Sequence, residues 1–200
     1  AAEKERLAAE KALSKKEQRE AAFARGKDLH FLIGGGLAQA VGSSALSDYG
    51  YSSLSPALTA RLSWLPVKAG SFRFGGELAV SGSRFKSSEE FYDTALSFAS
   101  LKADLLLQHS LFSKRLYVTA KGGGALWTVE KEVAYSGSFE GRSAPQTEFF
   151  GYGAALPGFS LFWLPQNHLA VELGVDGSHL FAPDMPLVML EPYLCIGLRL

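Results

Sequence analysis

Residues 72–81 read Phe-Arg-Phe-Gly-Gly-Glu-Leu-Ala-Val-Ser. Phe72, Phe74, Gly76, Leu78 and Val80 fall on one side of an extended chain. Arg73, Gly75, Glu77 and Ser81 fall on the other. A period of two with one apolar face and one small or charged face is the pattern of a β-strand. The same pattern recurs outward from this stretch. Ala57–Trp64 sets Leu58, Ala60, Leu62 and Trp64 against Thr59, Arg61 and Ser63. Leu169–Ser178 sets Leu169, Val171, Leu173 and Val175 against Glu172, Gly174, Asp176 and Ser178. The chain closes with Leu194, Ile196, Leu198 and Leu200 alternating with Tyr193, Cys195, Gly197 and Arg199.

Extending the count gives eight strands, at about 29–41, 55–65, 71–85, 95–112, 115–131, 148–164, 168–181 and 187–200. Several exceed the five or six residues usual in soluble sheets and match the nine to eleven or more of membrane-crossing strands. The connections alternate in length. Those at Pro66–Gly70, Ser113–Lys114 and Pro165–Asn167 are short, whereas Ser43–Ser53, Lys86–Thr94 and Glu132–Thr147 are long and polar. One end of the structure is therefore trimmed and the other elaborated, as in barrels whose termini and short turns face the periplasm. A partial repeat fits this register: Ser63-Trp64-Leu65-Pro66 and its following strand resemble Phe162-Trp163-Leu164-Pro165 and its own.

Composition bounds the rest. Lys+Arg and Asp+Glu number 20 each, which leaves no electrostatic footprint for nucleic acid. Residues 1–28 hold eight basic and six acidic residues and no Gly or Pro before Gly26, so they read as a charged helical linker, or as the end of an upstream periplasmic segment. Cys195 is the only cysteine, which excludes a disulfide within the chain and a cysteine metal cluster. No apolar run is long enough for a transmembrane helix or a signal-peptide core.

Alternation alone does not say which face points out, since a soluble lipocalin-like barrel alternates too. Turned inward, the apolar faces of eight strands would overfill a lumen barely wide enough for side chains. The other face is rich in Gly, Ser, Ala and Thr, which suits a narrow interior. With apolar faces outward, the inward charges are Arg61, Arg73, Glu77, Lys102, Asp104, Lys121, Glu172, Asp176, Glu191 and Arg199, five basic and five acidic. Isolated charges there would each cost several kcal/mol, so a compensating network is expected, with Arg61, Arg73, Lys121 and Arg199 opposite Glu77, Glu172, Asp176 and Glu191. Such a network serves either as a polar plug or as a gated ion path. An aromatic girdle is expected from Trp64 and Trp163 near the short turns and from Tyr49, Tyr51, Tyr92, Phe149 and Tyr152 near the long loops.

On these features residues 29–200 resemble the small outer-membrane barrels typified by the OmpA transmembrane domain, OmpX and OmpW. The resemblance implies an all-β, eight-stranded antiparallel up-and-down transmembrane barrel in a bacterial outer membrane, with both termini periplasmic and a short helix before it. It also implies that Tyr193, Ile196, Leu198 and Leu200 form the C-terminal signal read by the barrel-assembly machinery, although the family commonly ends in an aromatic residue and this chain ends in Leu200. Expected partners are outer-membrane lipids, that machinery and a periplasmic partner reached through residues 1–28. No cofactor is expected.

Other constellations are weak. Gly34–Gly36 and Gly122–Gly124 lack the helix and the Lys-Ser/Thr of a phosphate loop. His30, His109, His168 and His179 have no metal-ligand spacing. Asp104, His109 and Ser110 lie on one strand and point to different faces, so no catalytic triad follows. Three functions remain: a structural or surface-contact barrel acting through its loops, a narrow channel for ions or small hydrophobic solutes, and a soluble ligand-binding barrel. An enzyme is not expected.

Overall fold

The computed structural model describes residues 28–41, 46, 50–88, 92–112, 115–135, 146–148, 153–181 and 187–200. The strands are β1 (Leu29–Val41), β2 (Leu54–Ala69), β3 (Phe72–Ser88), β4 (Tyr92–Ser110), β5 (Leu116–Tyr135), β6 (Gln146–Glu148), β7 (Gly153–Trp163), β8 (Leu169–Leu180) and β9 (Leu187–Arg199). Neighbours pair antiparallel, β4 pairs with β5, and β9 returns to β1, so the sheet closes on itself. β6 and β7 both pair with β5 along one edge and form a single wall position. Nine segments thus build eight staves. Closure leaves no sheet edge around the waist.

The faces separate as the alternation requires. Leu58, Leu78, Leu105, Leu126, Leu173 and Ile196 stand outward, with Leu58 75% and Leu105 77% exposed. The inward set is buried and holds nearly every charge on the barrel waist. An outer belt of Leu, Ile, Val and Phe has no place in water, where contiguous apolar patches this large do not persist.

Three differences separate the structure from the sequence reading. Lys86–Ser88 and Tyr92–Thr94, expected in a loop, are strand, because β3 and β4 stay paired as far as Ser88↔Asp93, and β5 follows to Tyr135. Here the strands rise beyond the apolar belt, so the chain stays extended without apolar alternation. Pairing of β2 with β3 ends earlier, at Ala57↔Ser83. The Ser55 hydroxyl then covers the β3 edge, donating to the Arg84 carbonyl (2.6 Å) and accepting from the Arg84 N–H (3.0 Å). Second, Pro66 lies within β2 rather than in a turn. It sits at a bulge between Trp64 and Val67, where the ladder needs no N–H, and the turn itself is Gly70–Ser71, with Gly70 at φ 62°. Third, the sixth strand comes in two pieces. The helical reading of residues 1–28 falls, apart from Asp28, outside the described residues.

Glycines carry the closing seam between β1 and β9. A Cβ on Gly34 would stand 2.0 Å from the Leu194 carbonyl oxygen, one on Gly36 1.9 Å from that of Pro192, and one on Gly197 1.8 Å from that of Phe31. All three are inward positions, where the walls of a narrow barrel converge and only hydrogen fits.

Candidate functional site: the charged interior

Inside the barrel the side chains form three layers. At the short-turn end, Asp28 accepts ion pairs from Lys68 (2.6 Å), Arg73 (3.2 Å) and Arg199 (3.4 Å). Arg73 stacks on the Tyr117 ring at 4.5 Å. The sequence groups Asp28 with the charged leader and predicts that Arg73 and Arg199 meet the acids of the waist. They meet Asp28 instead, which enters the barrel mouth one residue ahead of β1. A single carboxylate after a run of exposed charges carries no signal of that role.

The middle layer is the charged belt. Arg61 on β2 donates to Glu77 (2.8 Å) and to Asp176, and its guanidinium lies 3.7 Å from the centre of the Tyr193 ring. Lys121 on β5 bonds Glu77 (3.0 Å), Glu172 (2.7 Å) and the Tyr193 hydroxyl (2.8 Å). Lys102 on β4 bonds Glu191 and lies 3.7 Å from Asp176. Hydroxyls complete the shells: Ser63 donates to Glu77 (2.7 Å), Ser160 to Glu172 (2.6 Å) and Ser81 to Glu191 (2.8 Å). Charge-assisted hydrogen bonds of this kind in a low-dielectric interior hold side chains to one arrangement. Asp104 lies in the same belt beside Lys102 and Lys121, and its Oδ1 has no hydrogen-bond partner among the described residues.

Toward the long-loop end the interior turns apolar. Phe85, Phe98, Trp127, Leu187 and Met189 pack together, with Phe85–Phe98 and Phe98–Trp127 edge to face at 5.5 and 6.3 Å between ring centres. Tyr51 joins this cluster. It was expected in the girdle; it is buried because the chain entering β2 folds its side chain over the barrel rather than outside it. The apolar layer is visible in the sequence only once the register is known, since Phe85, Phe98 and Trp127 continue the inward phase of Glu77, Asp104 and Lys121.

On the outer surface Trp64 is 61% and Trp163 49% exposed, both in the half nearer the short turns. Tyr49, Phe149 and Tyr152 lie outside the described residues, and of Tyr92 only the backbone is described. In the last strand Ile196, Leu198 and Leu200 face out, while Tyr193 faces in and serves the belt. Asp104 points inward and His109 outward, where it meets Ser71 at 3.2 Å, so no triad assembles.

No family model and no curated protein sequence matches the chain. Solved structures do. Ail, the attachment invasion locus protein of Yersinia pestis, superposes with a TM-score of 0.58 at 12% identity, over 88% of this chain and 99% of its own. The same protein in complex with the heparin analogue sucrose octasulfate gives 0.53 at 11% identity, with the same coverage. Neisserial surface protein A gives 0.52 at 12% identity, again over 88% and 99%. The fold is that of the small eight-stranded outer-membrane β-barrels. At such identities the likeness lies in the path of the barrel and not in its side chains.

The barrel also carries an exposed ion pair, Arg84–Glu132, outside the sealed interior. Both side chains are about half exposed, so solvent screens the pair. Arg84→Ala is expected to change the urea midpoint of the refolded barrel by no more than about 0.5 kcal/mol equivalent. A loss near that of a belt residue would show that the projecting strands are coupled to the waist.

Proposed function

We propose that this chain is an integral outer-membrane barrel that does not conduct, and that it holds its long-loop end at the bacterial surface for contact with partners. The observation that carries the reading is the filled interior. Belt side chains from six of the strands meet across the lumen, and an apolar layer covers them toward the long loops. Eight staves leave no room for a water column beside such a filling. The outward belt of Leu, Ile, Val and Phe supplies the surface that lipid would cover, and the Trp pair near the short turns suits a head-group boundary.

Orientation follows from the trimmed end. Short turns and both ends of the barrel chain would lie on the periplasmic side, and β3, β4 and β5 would project outward. With 17, 19 and 20 residues, these strands far exceed what a membrane crossing needs. Ail and the Neisserial surface protein carry attachment and surface location in their names, which is consistent with this use of the projecting wall. The assembly machinery would act on the strand ending at Leu200.

Two measurements test the reading. In planar bilayers the refolded protein should give no current steps; steps altered by Glu77→Gln would replace the contact role with a conduit. Protease added to intact cells should cut the long connections and spare the turns at Gly70 and Pro165. Cleavage at those turns alone would invert the orientation.

A further inference from the structure

The outward face of the barrel is not smooth. Gly76 on β3 faces out between its two register partners, Trp64 on β2 and Leu105 on β4. Two residues further along the strand, Leu78 stands between Leu62 and Ala103. Trp64 and Leu105 are both largely exposed, so they rise as two walls over a floor that has no side chain. The space they bound measures about 690 Å³, a size that suits one small ligand. Leu62, Leu78 and Ala103 complete an almost wholly apolar lining. Glu77 and Asp104 pass behind it with their side chains buried in the belt.

The width of this slot selects its occupant. β2 and β4 lie one strand to either side of β3, so their backbones are about 10 Å apart, two strand spacings. A single file of methylenes touching both walls at about 3.5–4.0 Å fills such a gap. A helix, about 10–12 Å across with its side chains, is too wide to enter. The wall of a second barrel would rest on the crests of Trp64 and Leu105 and leave the floor bare, forfeiting those contacts. The slot is also continuous with the apolar belt around it, which is the surface that lipid would cover.

We propose that the slot over Gly76 seats one acyl chain of a phospholipid from the periplasmic leaflet. The proposal rests on the membrane reading and the orientation given above, and is independent of the contact role. Trp64 stands in the half nearer the short turns, where an indole meets lipid head groups. The glycerol end of the lipid therefore lies beside Trp64, and the methylenes run over Gly76 toward Leu78. Gly82 supplies the contrast on the same strand. It also faces out, but its register partners are Leu58 and Ala99, so a single wall stands beside it.

The test uses the whole chain refolded into vesicles of phosphatidylethanolamine and phosphatidylglycerol, extracted again in detergent and weighed by native mass spectrometry. Lipids that merely surround the barrel exchange for detergent, whereas a seated one stays, so the wild type should carry about one phospholipid per chain. Gly76→Phe fills the slot and should lose that lipid. A Cβ at Gly76 meets only the Asp104 carbonyl oxygen, at 3.5 Å, so the ring has room to stand outward. Gly82→Phe, where a Cβ meets the Phe98 carbonyl oxygen at 3.8 Å, should keep the lipid. If Gly76→Phe does not refold, Leu105→Ala lowers one wall, leaves the floor alone and should also shed the lipid. A wild type without lipid overturns the proposal, as does equal retention in the wild type and the slot variants. A dimer that Gly76→Phe dissociates overturns it as well, since a second copy would then cover the slot. Quenching of Trp163 by brominated phospholipid separates the two readings. With Trp163 quenched and no lipid retained, the slot alone fails; with Trp163 bright, the membrane reading fails and the slot with it.

Discussion

Gly197→Ala will abolish most of the compact, faster-migrating form of the refolded protein on an unheated gel, whereas Gly122→Ala and Gly124→Ala will leave it intact. All three changes add one methyl group to a strand glycine, so they differ only in what that methyl meets. At Gly197 it would lie 1.8 Å from the Phe31 carbonyl oxygen and 2.6 Å from the Leu32 Cα. Backbone cannot turn aside as a flexible side chain can. β9 must move away from β1, and the hydrogen bonds that close the ring go with it. Overpacking alone costs about 1–3 kcal/mol, and occasionally more; opening the seam adds the loss of ladder bonds that cannot be replaced in lipid. At Gly122 and Gly124 nothing lies within 4 Å, so the effect should stay within about 0.5 kcal/mol. Equal tolerance at all three positions would mean that the seam is looser than described.

The second large effect belongs to Arg61. Arg61→Met removes the side chain that joins Glu77 to Asp176 and stacks on Tyr193. Both acids are buried, and among the described residues Asp176 would keep Lys102 at 3.7 Å as its one ion-pair partner. Breaking a buried network from one side costs about 3–5 kcal/mol, because the partner charge stays behind uncompensated. The urea midpoint of the refolded barrel should fall accordingly. Adding Asp176→Asn to Arg61→Met should recover part of the loss, since an amide carries no charge to strand, and the double-mutant cycle measures that coupling. A loss below about 1 kcal/mol would show that water reaches the belt and screens it.

The parts of this structure legible in the sequence are those written in periodicity. Outward Leu58, Leu78 and Leu173 and inward Arg61, Glu77 and Glu172 follow from a period of two, because a closed barrel gives every strand the same pair of environments. The partners inside the lumen are less legible. Contacts such as Arg61–Asp176 join β2 to β8 across the barrel, and their choice depends on the stagger of the strands. Nothing in a single strand records that stagger. Asp28 was missed because its meaning comes from where the chain enters the barrel. Tyr51 was misplaced because aromatic residues near loops look alike whether they cover a lumen or face lipid. The ends of β3, β4 and β5 were read short because strands standing above the apolar belt lose the alternation that identifies them.

The direction of the faces underlies every functional conclusion, and the three tryptophans report on it. Trp64 and Trp163 point outward, while Trp127 is 3% exposed in the apolar layer inside the barrel. Single-tryptophan variants refolded into vesicles of brominated phospholipid therefore give the most direct measurement. Strong quenching of Trp64 and Trp163, with Trp127 left bright, is the result expected for an apolar-out barrel in the bilayer. A quenched Trp127 beside bright Trp64 and Trp163, or no quenching of any of the three, would contradict it.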